Sequence, residues 1–137
     1  MARKEKLTKL TLEELIAQKE KYQRKQDVSQ EIALKRGTEF LTIKIKKPSK
    51  ALCLECLTMA NDTDESVQEM SDIHMVYDIV VEPNLKDKKL QDAYDCVEPT
   101  DIVEKLFEIG EIGQISGHGM MMAGYGTEVK AVKDLKN

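Results

Sequence analysis

The chain has no tryptophan and only two phenylalanines and four tyrosines among its 137 residues. Leu, Ile, Val and Met must therefore fill its core. Long apolar runs are missing as well. No stretch approaches the roughly 18–20 consecutive apolar residues of a membrane span. The basic start, Met1 to Leu7, is followed by no apolar segment that would make it a secretory signal. Cysteine is scarce and odd in number, with Cys53, Cys56 and Cys96 only. Such a count offers no disulfide framework and reads as reduced thiols in a cytoplasm.

What is present is aliphatic and charged. Hydrophobic residues make up 41% and charged residues 34% of the chain, too apolar for disorder and rich in long straight side chains that favour helix. The length suits one compact domain, able to bury about 65–70% of its unfolded surface without a metal or disulfide. The net charge of −4 hides an asymmetry. Residues 1–50 carry fourteen Lys/Arg against seven Asp/Glu, whereas residues 51–137 carry seven against eighteen. A basic front half could touch nucleic acid. Its interleaved Glu13, Glu14, Glu20, Asp27, Glu31 and Glu39 read instead as solvated surface, and the acidic remainder would repel a phosphate backbone.

Periodicity divides the chain into an N-terminal helical arm (1–27), a β-hairpin (28–47) and a helical region (48–137) of one domain. Thr11 and Glu14 have capping-box spacing, and Leu12, Leu15, Ile16 and Tyr22 continue a helix to about Lys25. From Val28 the period becomes 2. Ile32 and Leu34 alternate with polar residues, Arg36-Gly37-Thr38-Glu39 supplies a turn, and Leu41, Ile43 and Ile45 alternate again until Pro48 ends the ladder. Ser49 starts a helix over 50–60 that is apolar on nearly all sides and reads as buried. Asp64 or Thr63 caps the next, whose stripe is Val67, Met70, Ile73, His74, Tyr77, Val80 and Val81, with Pro83 ending it. Short helices follow through Leu90, Ala93 and Tyr94, then from Pro99-Thr100-Asp101 through Ile102, Val103, Leu106 and Phe107. A glycine-bearing helix runs from Ile109 to Gly124, and a last helix from Thr127 to Lys136 presents Val129, Val132 and Leu135. The class is α+β, predominantly helical: a helical array with one small antiparallel hairpin near the N-terminus.

No constellation has the pattern of a catalytic site. Cys53-Leu-Glu-Cys56 is a C-x-x-C, but it lies inside an apolar helix and not where a strand meets a helix N-terminus, as a redox pair requires. A zinc site would have to recruit Cys96 with His74 or His118, with no second paired motif to support it. Core thiols are the reading that remains. His74 sits on an apolar stripe, where a buried, hydrogen-bonded imidazole is expected. His118 has neither a serine elbow nor an acid partner at a diagnostic offset. The glycines 110, 113, 117 and 119 match neither dinucleotide nor phosphate-loop motifs. Gly113 and Gly117, four apart, instead read as a small-residue face that lets another backbone approach or, equally, as a helix that unwinds easily, and Met120-Met121-Met122 is an adaptable apolar patch or core filling.

The order of segments carries more information than any single one. Leu41-Thr-Ile-Lys-Ile-Lys-Lys-Pro-Ser49 followed by Leu52-Cys-Leu-Glu-Cys-Leu57, then Val76-Tyr-Asp-Ile-Val-Val-Glu-Pro-Asn-Leu85 and Leu90-Gln-Asp-Ala-Tyr94, resembles the XkdN-like phage tail assembly chaperones found in prophages of Gram-positive bacteria. Val97-Glu-Pro-Thr-Asp-Ile-Val-Glu-Lys105, Gly110-Glu-Ile112 and Ile115-Ser-Gly117 extend the likeness, which spans about Leu10 to the C-terminus. The resemblance implies a binding protein of the host cytoplasm, absent from the mature virion. It would hold the long helical tape measure protein soluble until the tail tube polymerises. It implies no catalytic, cofactor or metal residues, no nucleic acid and no membrane as partner, and leaves contact with the tail tube protein and self-association open. A structural tail-completion protein and a nucleic-acid-binding regulator are the alternatives. The face joining Gly113, Gly117, Met120, Met121 and Met122 to Val129 and Val132 is the expected partner-binding surface.

Overall fold

A computed structural model describes residues 6–135. They form two compact units, one of residues 6–25 with 128–135, the other of residues 26–127. Residues 1–5 of the expected arm and Lys136 of the expected last helix lie outside the described residues.

In the first unit, helix α1 (Leu12–Ala17) is capped by Thr11, whose hydroxyl accepts from the Glu14 amide at 3.2 Å. The Glu14 carboxylate accepts from the Gln18 side chain. Gln18 leaves helical geometry (φ −118°, ψ 47°), so the expected continuous helix becomes α1 and a single turn, α2 (Lys19–Tyr22). Neither buries a residue, and short helices without a packed face are marginal. The expected helix over 127–136 is likewise absent. Its described part holds only a 3₁₀ turn at Val132–Asp134, with Val129 96% and Val132 55% exposed and only Leu135 of the expected face partly buried, too little packing to sustain more.

The second unit carries the sheet and the remaining helices. Strands β1 (Ser29–Arg36) and β2 (Glu39–Lys46) pair antiparallel from Ser29↔Lys46 to Arg36↔Glu39, closed by Gly37-Thr38 with Gly37 at φ +64°. A glycine with positive φ at the first loop position suits the strand twist of a two-residue hairpin. Helix α3 (Lys50–Ala60) begins at Ser49, whose hydroxyl accepts from the Leu52 amide at 3.1 Å, and α4 (Glu65–Ile79) begins at Asp64, which accepts from the Ser66 amide at 2.9 Å. A third strand, β3 (Val80–Glu82), was not expected. It pairs with β2 through Ile45↔Val80 and Lys44↔Glu82 across a bulge, making the sheet β1-β2-β3. Pro83 biases Glu82 to the extended region, and the β-branched Val80 and Val81 suit a pleated surface, so α4 stops three residues early. Helices α5 (Lys88–Ala93), α6 (Asp101–Leu106) and α7 (Ile109–Met122) follow. The class is mixed α+β: seven α-helices and a three-stranded antiparallel sheet among the described residues.

Helix α4 is the centre of this unit and packs against α3, α6 and α7. Because it is enclosed on several sides, its buried arc is Ile73, Met75, Val76 and Ile79 with Ser71, wider than the expected stripe and rotated from it; Met70 is 36% exposed. Ser71 donates to the Cys56 carbonyl at 2.8 Å, which satisfies a hydroxyl inside the core. Helix α3 has α4 as its main helical neighbour. It buries Leu52, Cys53 and Cys56 but leaves Leu54 49% exposed, so it is one-faced and not buried all round.

Candidate partner-binding surface

Helix α7 combines a packed face with an open one. Its first turn is anchored from two directions. Glu111 accepts from the Glu108 amide at 2.9 Å, closing the helix start, and the same carboxylate takes Arg36 Nη2 at 2.8 Å and Nε at 3.2 Å. Arg36 Nη2 also donates to the Leu106 carbonyl at 2.6 Å, so the hairpin end clamps the α6–α7 junction. The Arg36 guanidinium, together with the Glu108 amide, holds the Glu111 carboxyl below the usual carboxylate range, and Glu111 in turn pushes Arg36 up.

The packed face consists of Ile112, Ile115, Ser116 and Gly119. A Cβ on Gly119 would stand 2.6 Å from Ile79 Cδ1 and 3.6 Å from Met75 Sδ. Gly119 is therefore where α7 meets the side chains of α4. Gly113 and Gly117 point the other way, and a Cβ on either would meet nothing within 4 Å. With Ile109 (89% exposed) and Met121 (66% exposed) they recur every four residues, each turned about 40° from the last, and trace one open strip. Two large apolar residues thus bracket two glycines. Met120 and Met122 are half-buried against the core, and Val129 and Val132 lie exposed in the other unit.

Two clefts open beside Ile109. One, of about 570 Å³, is bordered by Lys35, Arg36, Lys105, Glu108 and Glu111. The other, of about 340 Å³, lies among α4, α6 and α7 and has Met70, Ile73, Ile109 and Ile112 on its walls.

The chemistry candidates sit elsewhere. Cys53 and Cys56 are buried, and burial raises both thiols, Cys56 to about 11 with the neighbouring Glu55 adding to the shift. A thiol held protonated is a poor nucleophile and a poor metal ligand. His74 is half-buried and pairs across α3 and α4 with Glu55, its Nε2 3.2 Å from the carboxylate. His118 is exposed. Among the described residues no three His, Cys, Asp or Glu side chains gather as a metal site, and no helix is long and apolar enough to cross a membrane.

Sequence reasoning named Gly113, Gly117 and Met121 but missed Ile109, although the four-residue interval 109–113–117–121 is legible in the chain. It also missed Gly119, whose role depends on a residue forty positions away. No curated protein and no solved structure matches the chain. The family model described as phage XkdN-like tail assembly chaperone protein matches residues 4–136, and the chain belongs to that family.

Proposed function

We propose that this chaperone acts by binding and not by catalysis, holding the tape measure protein soluble in the host cytoplasm until tail tube subunits polymerise around it. The observation that carries this reading is the open strip Ile109–Gly113–Gly117–Met121 on a helix whose other face, Ile112, Ile115, Ser116 and Gly119, is packed. Bare glycines between apolar ends let a second helix approach closely, which a helix-rich client exposing apolar faces would use. Met120, Met121 and Met122 adapt to varied client side chains, and Val129 and Val132 offer further exposed apolar contacts.

Co-expression tests the reading. The tape measure protein alone is expected to precipitate, and this chain is expected to raise its soluble yield and copurify with it. A client that precipitates equally with and without the chain would overturn the proposal. So would recovery of the chain as a stoichiometric component of purified tails, which would make it a structural protein.

A further inference from the structure

We infer that the α4–α6–α7 groove selects basic amphipathic helices of the client, a refinement that rests on the chaperone reading above. The groove floor is Ile73 and Ile112, each less than a tenth exposed, and its apolar rim is Met70 and Ile109. Around these stand three carboxylates, Glu69 and Asp72 from α4 and Glu104 from α6, all exposed, and no Lys or Arg borders the groove. Glu65 continues the ridge, since Glu65, Glu69 and Asp72 fall at i, i+4 and i+7 on α4. The basic residues of this end, Lys35, Arg36 and Lys105, border the neighbouring cleft, and Arg36 is already engaged by Glu111.

The wider charge pattern agrees with this. Residues 26–127 carry ten Lys/Arg and nineteen Asp/Glu, a balance of −9. A helix with apolar residues on one face and Lys or Arg beside them would place the former against Ile109 and Met70 and the latter against the carboxylates. A helix with acidic flanks would meet like charge at three positions. Ile109 belongs both to the groove and to the open strip of α7. The occupant is thereby defined by its chemistry: an apolar stripe flanked by cations.

The test uses two synthetic helical peptides with the same leucine stripe, one flanked by lysine and one by glutamate, and fluorescence anisotropy with the full chain. The lysine peptide is expected to bind about tenfold or more tighter than its counterpart, with the preference shrinking in high salt. Glu69→Lys, Asp72→Lys and Glu104→Lys together should reverse the preference. Ile109→Ser should weaken both peptides while leaving the thermal unfolding midpoint unchanged. Equal affinity for the two peptides, or none for either, overturns the inference. So does a dimer in sedimentation that Ile109→Ser abolishes, because the groove would then belong to a second copy. If wild type and triple variant solubilise the tape measure protein alike, the groove is dismissed and the chaperone reading stands. If wild type fails to hold that client, the chaperone reading falls and the peptides still decide the preference of the groove.

Discussion

Glu111 accepts from both Nη2 and Nε of Arg36, and so ties the last residue of β1 to the first turn of α7. The two residues lie seventy-five positions apart, and the bond fixes where the open strip begins relative to the sheet. Arg36 is 41% exposed at its side chain and Glu111 18%, so solvent weakens the pair without removing it. Arg36→Ala should cost about 1 kcal/mol, read by urea denaturation, because the Leu106 carbonyl and the carboxylate lose a shared donor.

The same pair has a pH signature. The Glu111 carboxyl is held below its usual value in the folded chain, first by the Arg36 hydrogen bond and then by the Glu108 amide. A depressed carboxyl contributes stability that is fully present above its unfolded pKa and disappears as pH falls through the folded one. Wild type should therefore lose stability on acidification below the ordinary carboxylate range. Arg36→Ala should lose less over that interval, and parallel pH curves for the two proteins would contradict the assignment.

The buried thiols give a third expectation. With Cys56 raised to about 11, about one molecule in ten thousand carries its thiolate at neutral pH. Native protein should consume a maleimide reagent slowly at Cys53 and Cys56, and unfolding in guanidinium should release both. Replacing the two together by Ala should cost a few kcal/mol through small cavities. Fast alkylation of either in the folded chain would mean that α3 does not pack on α4 as described.

Local chemistry was legible in the sequence where it closes on itself. The caps at Thr11, Ser49 and Asp64 lie within three residues of the amides they satisfy, and the hairpin register follows from alternation about Gly37. What escaped depends on distant partners. Strand β3 forms because the edge of β2 lies beside Val80, while Val80 and Val81 had looked like the end of a helical stripe. The rotation of the buried arc of α4 reflects packing on α3, α6 and α7, which a single stripe does not encode. The last helix failed for the opposite reason: three-residue spacing of Val129, Val132 and Leu135 describes a face, but Val129 and Val132 are left exposed among the described residues. The partner-binding strip was half legible. Gly113 and Gly117 stood out by spacing, whereas only the packed side of α7 identifies Ile109 as exposed and Gly119 as the buried glycine.

Three of the four glycines of α7, Gly113, Gly117 and Gly119, separate folding from binding. Gly119→Leu would drive its side chain into Ile79 and Met75, both fully buried, and should destabilise the chain by about 1–3 kcal/mol. Gly113→Leu and Gly117→Leu meet open space and exchange a helix-weakening residue for a strong former. Each should leave stability unchanged or raise it by up to about 1 kcal/mol. If the strip carries the client, the Gly113→Leu, Gly117→Leu double variant fills the path between Ile109 and Met121 and should retain markedly less tape measure protein in a pull-down at equal or higher melting temperature. Ala at the same two positions, adding only a methyl, should lose less, so retention should fall in the order Gly, Ala, Leu. Undiminished retention by the Leu double variant would remove the glycine strip as the contact, and a loss of melting temperature in it would show that Gly113 or Gly117 is packed after all.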